Sequence, residues 1–209
     1  MVHARLRQAH RGRVGRWTVA AALLAGAVTV LAACGGEGAA EGSEPVVRGD
    51  VTTYSVGSTG PGGGKVFYVA ATPFACGTST STCTYLEVSP SAGSAITWCD
   101  STNTLISGID TALGTGAKNT AAMKTGCTSG AAYTATATSS GGKTDWYLPS
   151  KDEIQALYNA WYNRGLTGEL WSSSQGAAAS NAWALYWEDG EVGSPSKGLV
   201  TSVRAVRAF

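Results

Sequence analysis

Few side chains in this 209-residue sequence can do covalent or proton chemistry: five cysteines, two histidines, a Ser172-Ser173-Ser174 run and fourteen acids. Their positions sort them. Cys34 closes Leu31-Ala32-Ala33-Cys34 behind an uncharged, apolar stretch from Thr18 to Leu31, and five arginines without one acid precede it between Met1 and Trp17. A basic start, a short apolar middle and small residues before a cut are the physical signs of a secretory signal. The run is shorter than the ~20 apolar residues a membrane span needs. The absence of an Arg-Arg pair points to the Sec route over twin-arginine export.

The cysteine at the cut resembles the lipobox of bacterial lipoproteins. That resemblance implies diacylglycerol on the Cys34 thiol, cleavage before it, and a protein held on the extracytoplasmic face of the bacterial cell membrane. Residues 1–33 are then signal peptide and residues 34–50 a lipidated tether. Its Gly- and Glu-rich composition cannot bury enough apolar surface to order itself, and it spans on the order of 20 to 25 Å as a flexible coil. With the signal go five arginines and both histidines, His3 and His10, which leaves ten basic residues against fourteen acids. A net charge of about −4 is no nucleic-acid footprint. Without histidine the mature chain cannot run a Ser-His-Asp or Cys-His site, and it lacks the commonest zinc ligand. Ser172-Ser173-Ser174 therefore has nothing to activate it. Glu188 and Glu191 could pair for glycosidase work, but acids flanking a hairpin are usually just solvated. No catalytic residue is assigned.

Four cysteines remain: Cys76, Cys83, Cys99 and Cys127. An even number in an exported protein reads as disulfides. Three pairings are open; loop lengths favour Cys76 with Cys83 and Cys99 with Cys127, because the alternatives need more chain crossing. A four-thiolate zinc site would want a C-x2-C spacing, and none is present, so no metal is expected.

These residues must be positioned by a domain running from residue 51 to residue 209, the usual size of one unit with its own core. Ser150-Lys151-Asp152-Glu153 is a capping box with Pro149 just before it. Behind it Ile154, Leu157, Tyr158 and Trp161 make one apolar stripe, which predicts a helix from Lys151 to Arg164 stopped by Gly165. A shorter helix is expected from Ala117 to Thr125, closed by Gly126 before Cys127. Alternation and β-branched or aromatic content predict strands at Gly64–Ala70, Tyr85–Ser89, Leu170–Ser173, Ala182–Trp187 and Leu199–Ala208. Asp189-Gly190 signals a hairpin turn. Arg204 and Arg207 differ by an odd number, so in an unbroken strand one is solvated and the other meets a carboxylate inside. Trp146, on the capping-box segment, is expected in the core, as is Trp161 on the helix stripe.

Four motifs, in order, carry a further resemblance: Gly60-Pro61-Gly62-Gly63-Gly64-Lys65-Val66-Phe67-Tyr68, Asp145-Trp146-Tyr147-Leu148-Pro149-Ser150-Lys151-Asp152-Glu153, Leu170-Trp171-Ser172-Ser173-Ser174, and the Val-Arg-Ala-Val-Arg ending. Together they resemble the Lcl C-terminal domain family, a bacterial surface domain, and are similar to C-type-lectin-like domains such as those of the formylglycine-generating group. The resemblance implies an α+β fold with a small twisted antiparallel sheet, two helices and long loops, stapled here by disulfides. Apart from that resemblance, Trp146, Pro149, Ser150, Glu153, Trp171, Arg204 and Arg207 are read as structural. In the namesake adhesin the domain implies attachment to sulfated glycans; this chain has neither its collagen-like repeat nor an excess of Lys and Arg to meet a polyanion. A glycan or another envelope polymer is nonetheless the expected partner class. Trp183 and Trp187 can stack on sugar faces while Glu188 and Asp189 bind hydroxyls. Trp187-Glu188-Asp189 is similar to the Trp-Asn-Asp calcium motif of lectins, yet it departs at its second position and no Glu-Pro-Asn partner exists, so no calcium or other cofactor is expected. A binding or adhesion module ranks first, a structural envelope lipoprotein second, an enzyme third.

Anchoring through Cys34 is directly testable. Cys34→Ala is expected to leave the membrane fraction or to accumulate as uncleaved precursor, read by ultracentrifugation and intact mass. A wild-type protein found soluble, with no lipid mass at its N-terminus, would overturn the assignment.

Overall fold

The computed structural model describes residues 52–77, 81–161 and 166–209. The fold is mixed α+β with two sheets, three helices and two disulfides. Strands β1 (Lys65–Ala75) and β2 (Thr82–Val88) form an antiparallel hairpin. The last strand of the chain, β8 (Val206–Ala208), pairs with β2 on its other side, giving the order β1-β2-β8. The second sheet runs β3-β7-β4-β5-β6 and contains β3 (Gly93–Ile96), β4 (Glu169–Gln175), β5 (Ala182–Tyr186), β6 (Val192–Gly193) and β7 (Thr201–Val203). One step in it, β4 to β7, is parallel. The single antiparallel sheet expected from sequence is thus replaced by one antiparallel and one mixed sheet.

The helices are α1 (Gly116–Gly126), α2 (Ala131–Thr136) and α3 (Lys151–Trp161), one more than expected. The extra one, α2, is six residues long, too short to leave a periodic signal. It is placed from outside: Gly130 before it adopts φ +124°, and a Cβ there would press on the backbone of Trp98 and Cys99. The Cys99–Cys127 disulfide, with Cα atoms 5.6 Å apart, fixes the same corner, and Cys76–Cys83 joins the strands at the turn end of the β1–β2 hairpin. Both pairings match the loop-length expectation. Helix α3 begins with its capping box formed: Ser150 N donates to Glu153 Oε2 at 2.8 Å and Glu153 N donates to Ser150 Oγ at 3.2 Å. Ile154 and Leu157 are fully buried, whereas Trp161 is only half-buried; Arg164 and Gly165 lie outside the described residues. Among the described residues no helix is long and apolar enough to cross a membrane.

The predicted strand from Leu199 to Ala208 is broken at Arg204-Ala205, and its halves join different sheets. Alternation fails there, since Val203, Ala205 and Val206 are all buried, in two separate clusters. Arg207 is the one of the two that turns inward onto carboxylates. Arg204 does not reach solvent freely: it is half-buried, with its Nε enclosed and unpartnered. Three indoles fill the cluster around α1 and α2, each with its N–H satisfied by a backbone carbonyl: Trp98 to Ser172, Trp171 to Ile96, Trp146 to Lys143. The chain end is docked. Phe209 exchanges hydrogen bonds with Tyr85 and stacks on its ring at 5.2 Å.

Glu87 and Arg207 face each other across β2 and β8, and Arg207 Nη1 donates to Glu87 Oε1 at 2.9 Å. Glu87 is wholly buried. Its carboxylate also accepts the amides of Gly62 at 2.9 Å and Gly64 at 3.2 Å, while Arg207 Nε donates to Asp145 Oδ1 at 2.5 Å. The glycine run is therefore a backbone cradle: a Cβ at Gly60 or Gly62 would collide with the Glu87 carboxylate, and one at Gly64 with the Val88 carbonyl. Removing one partner strands a buried charge, so Arg207→Met is expected to cost about 3 to 5 kcal/mol in urea unfolding. The double variant Glu87→Gln, Arg207→Met should lose clearly less than the sum of the two single changes; additive losses, or an Arg207→Met as stable as wild type, would refute the hub.

Candidate functional site

Of the four side chains expected to hold a ligand, only Glu188 and Asp189 are exposed. Trp187 is 4% exposed and packs edge-on against Tyr158, with ring centroids 5.3 Å apart, so its face is spent on the core. Trp183 is half-buried, and the Lys151 ammonium lies over its ring at 4.8 Å. Glu188 and Asp189 are exposed, but Asp189 Oδ1 accepts the Glu191 amide at 3.0 Å and closes the predicted turn between β5 and β6. The physical reason is the length of β5: it ends at Tyr186, so Trp187 belongs to the turn and folds back under it.

Lys197, which follows a Gly-Ser-Pro-Ser stretch at residues 193–196, is also internal. Its ammonium donates to Thr104 O and Gln175 Oε1, each at 2.7 Å, and sits 4.6 Å from the Trp98 ring centre; burial pushes it down to about 8. Ser172, Ser173 and Ser174 are fully buried, their hydroxyls bonded to Trp183 O, Asn119 Nδ2 and Asp110 O. Cys99, Asp100 and Cys127 come together, but the two sulfurs are bonded to each other. Asp100 is engaged by the Thr128 hydroxyl and amide and then by Ser129 N, which hold its carboxyl down to about 2.

A different feature offers an open concavity. A cleft of about 520 Å³ lies between α1, the Cys76–Cys83 end of the hairpin and the segment from Thr144 to Tyr147. Ala117, Ala121 and Lys124 reach it from α1 at i, i+4 and i+7, one face of the helix. Thr136 contributes from α2 and Ala208 from β8. Asp145 stands at its wall with its side chain 58% exposed although one oxygen is held by Arg207. Lys124 donates to Thr136 Oγ1 at 3.3 Å and lies 5.1 Å from the Tyr133 ring centre.

The wall is braced from behind. Tyr147 exchanges two 2.9 Å backbone bonds with Val206, which fixes the segment against β8. Its hydroxyl donates to Glu153 Oε1 at 3.3 Å, and Gly114 N donates to the same oxygen at 3.0 Å. Glu153 thus ties the approaches of α1 and α3 together beneath the cleft. A Cβ at Gly116 would collide with its carboxylate. Burial pushes the Glu153 carboxyl up to about 7 against the pull of the amides of Ser150 and Gly114, and burial with the neighbouring Glu153 charge pushes the Tyr147 phenol well above its ordinary value. Sequence reasoning placed Glu153 as a cap but missed the cleft; Lys124 in the α1 pattern and Asp145 beside Trp146 are visible there, yet nothing local says that they share a cavity.

A carboxyl whose folded value lies above its ordinary 4.5 stabilises the fold fully below 4.5 and loses that contribution as pH rises through about 7. Wild-type stability is therefore expected to increase on acidification from pH 8 to pH 5, by at most about 3 kcal/mol from this group. Glu153→Gln should flatten that slope in urea unfolding at pH 5, 6, 7 and 8. Equal slopes in both proteins would show that Glu153 ionises as an ordinary carboxyl.

No protein-family model matches the chain and no curated protein matches it, so the functional reading rests on this geometry.

Proposed function

We propose that this chain is a lipid-anchored, extracytoplasmic binding module, of the Lcl C-terminal and C-type-lectin-like kind, that holds an envelope polymer in the cleft beside α1. One observation carries the reading. In a domain that spends its other buried charges on its own fold, the cleft presents Lys124 and the outward oxygen of Asp145, neither of which the core consumes. The scaffold around it is rigid, with a disulfide at the hairpin end, a buried ion pair behind Asp145 and a capped helix behind Tyr147. Rigid support is what a binding site needs. Two disulfides agree with folding in an oxidising compartment, as export through a signal ending at Cys34 requires.

The test uses full-length protein in detergent and isolated, washed cell envelope. Co-sedimentation is expected, and Lys124→Ala should weaken it about fivefold or more, the loss of one charge-assisted contact, at unchanged melting temperature. Trp187→Ala should instead lower the melting temperature. Envelope binding that ignores Lys124 and Asp145 alike would place the site elsewhere, and no sedimentation at all would overturn the reading.

A further inference from the structure

Resting on the cleft proposed above, we infer that its ligand is dipolar: a short peptide segment of small residues that carries both an ammonium and a carboxylate group. Two side chains of opposite charge, Lys124 and Asp145, line the cleft. Two carboxylates, Glu87 and Asp145, share the single guanidinium of Arg207, so the cluster keeps one negative charge. Glu87 is enclosed, which leaves Asp145 as the place where that charge meets solvent. Arg207 takes Oδ1, and among the described residues no hydrogen bond reaches Oδ2. An ammonium group arriving there meets a carboxylate acceptor already oriented by a buried pair.

The Lys124 ammonium has a hydroxyl and an aromatic ring for company, and among the described residues no carboxylate within ion-pair distance. It can take a ligand carboxylate without first breaking an ion pair. The same lining carries the methyl groups of Ala117, Ala121 and Ala208. Small side chains fit such a lining, and a volume of about 520 Å³ suits a ligand of two or three residues. A neutral sugar fits less well, because stacking needs an open ring face and the aromatic side chains at the cleft, Trp146 and Tyr147, are only 1% and 5% exposed.

Isothermal titration of the full-length protein in detergent separates the possibilities. The probes are Ala-Ala-Ala with free ends, its N-acetylated form, its C-terminal amide, the doubly blocked form, and chitobiose. Free Ala-Ala-Ala is expected to bind, weakly and more weakly still at high salt, and blocking both ends should cost about tenfold or more. The two charges can be assigned separately: Lys124→Ala should become indifferent to C-terminal amidation, and Asp145→Asn indifferent to N-acetylation, with melting temperature followed for both. Equal binding of free and doubly blocked peptide would overturn the dipolar ligand. Chitobiose binding that depends on Lys124, with no tripeptide binding, would also overturn it while leaving the cleft as the site. Silence toward every probe rejects this ligand class, and envelope co-sedimentation then judges the cleft on its own.

Discussion

A carboxylate taken wholly out of water is the constraint around which the three-stranded sheet is arranged. Burying Glu87 opposite Arg207 costs several kcal/mol per ion before any attraction is counted, and a bare ion pair does not recover that. The remaining acceptor positions have to be filled, and the chain fills them with the amides of Gly62 and Gly64. That requirement explains residues far apart in sequence. The loop before β1 must be glycine because backbone approaches the carboxylate directly, β8 must lie beside β2, and Asp145 must come near enough to engage the other edge of the guanidinium. Three of the four sequence motifs therefore meet at one place, and what they share is the solvation of a buried charge by protein groups.

How far this was legible in the sequence follows from the range of each interaction. The α3 capping box, the α1 helix ending before Cys127, the turn at Asp189-Gly190 and the two disulfide pairings depend on neighbours or on short loops, and all are present. The number of sheets was not legible, because the split at Arg204-Ala205 is set by two cores pulling on either side of it and leaves no breaker residue in the chain. Glu87 reads as the polar position of an alternating strand, and only the glycine loop packed over it makes it internal. Lys197 misleads for a similar reason: a lysine among Ser, Pro and Gly looks solvated until Trp98 and Gln175, distant in sequence, close over it.

The burial of Trp187 and the presence of the cleft have the same cause. Aromatic side chains in a domain of this size are its main filling, and each of the three largest buried indoles finds a carbonyl for its N–H. What remains for the surface is charge. The side chains left over from packing, Lys124 and half of Asp145, are the ones that give the α1 cleft its character.

The Cys99–Cys127 bridge has a mechanical side as well. A chain pulled at its two ends is extended along its own contour. The covalent link bypasses 28 residues, so roughly 90 Å of contour length, including all of α1 and its wall of the cleft, is shielded from extension by any pull on the two ends. Under load the domain therefore lengthens less than its residue count suggests, and the helix that lines the cleft lies outside the path along which the force travels.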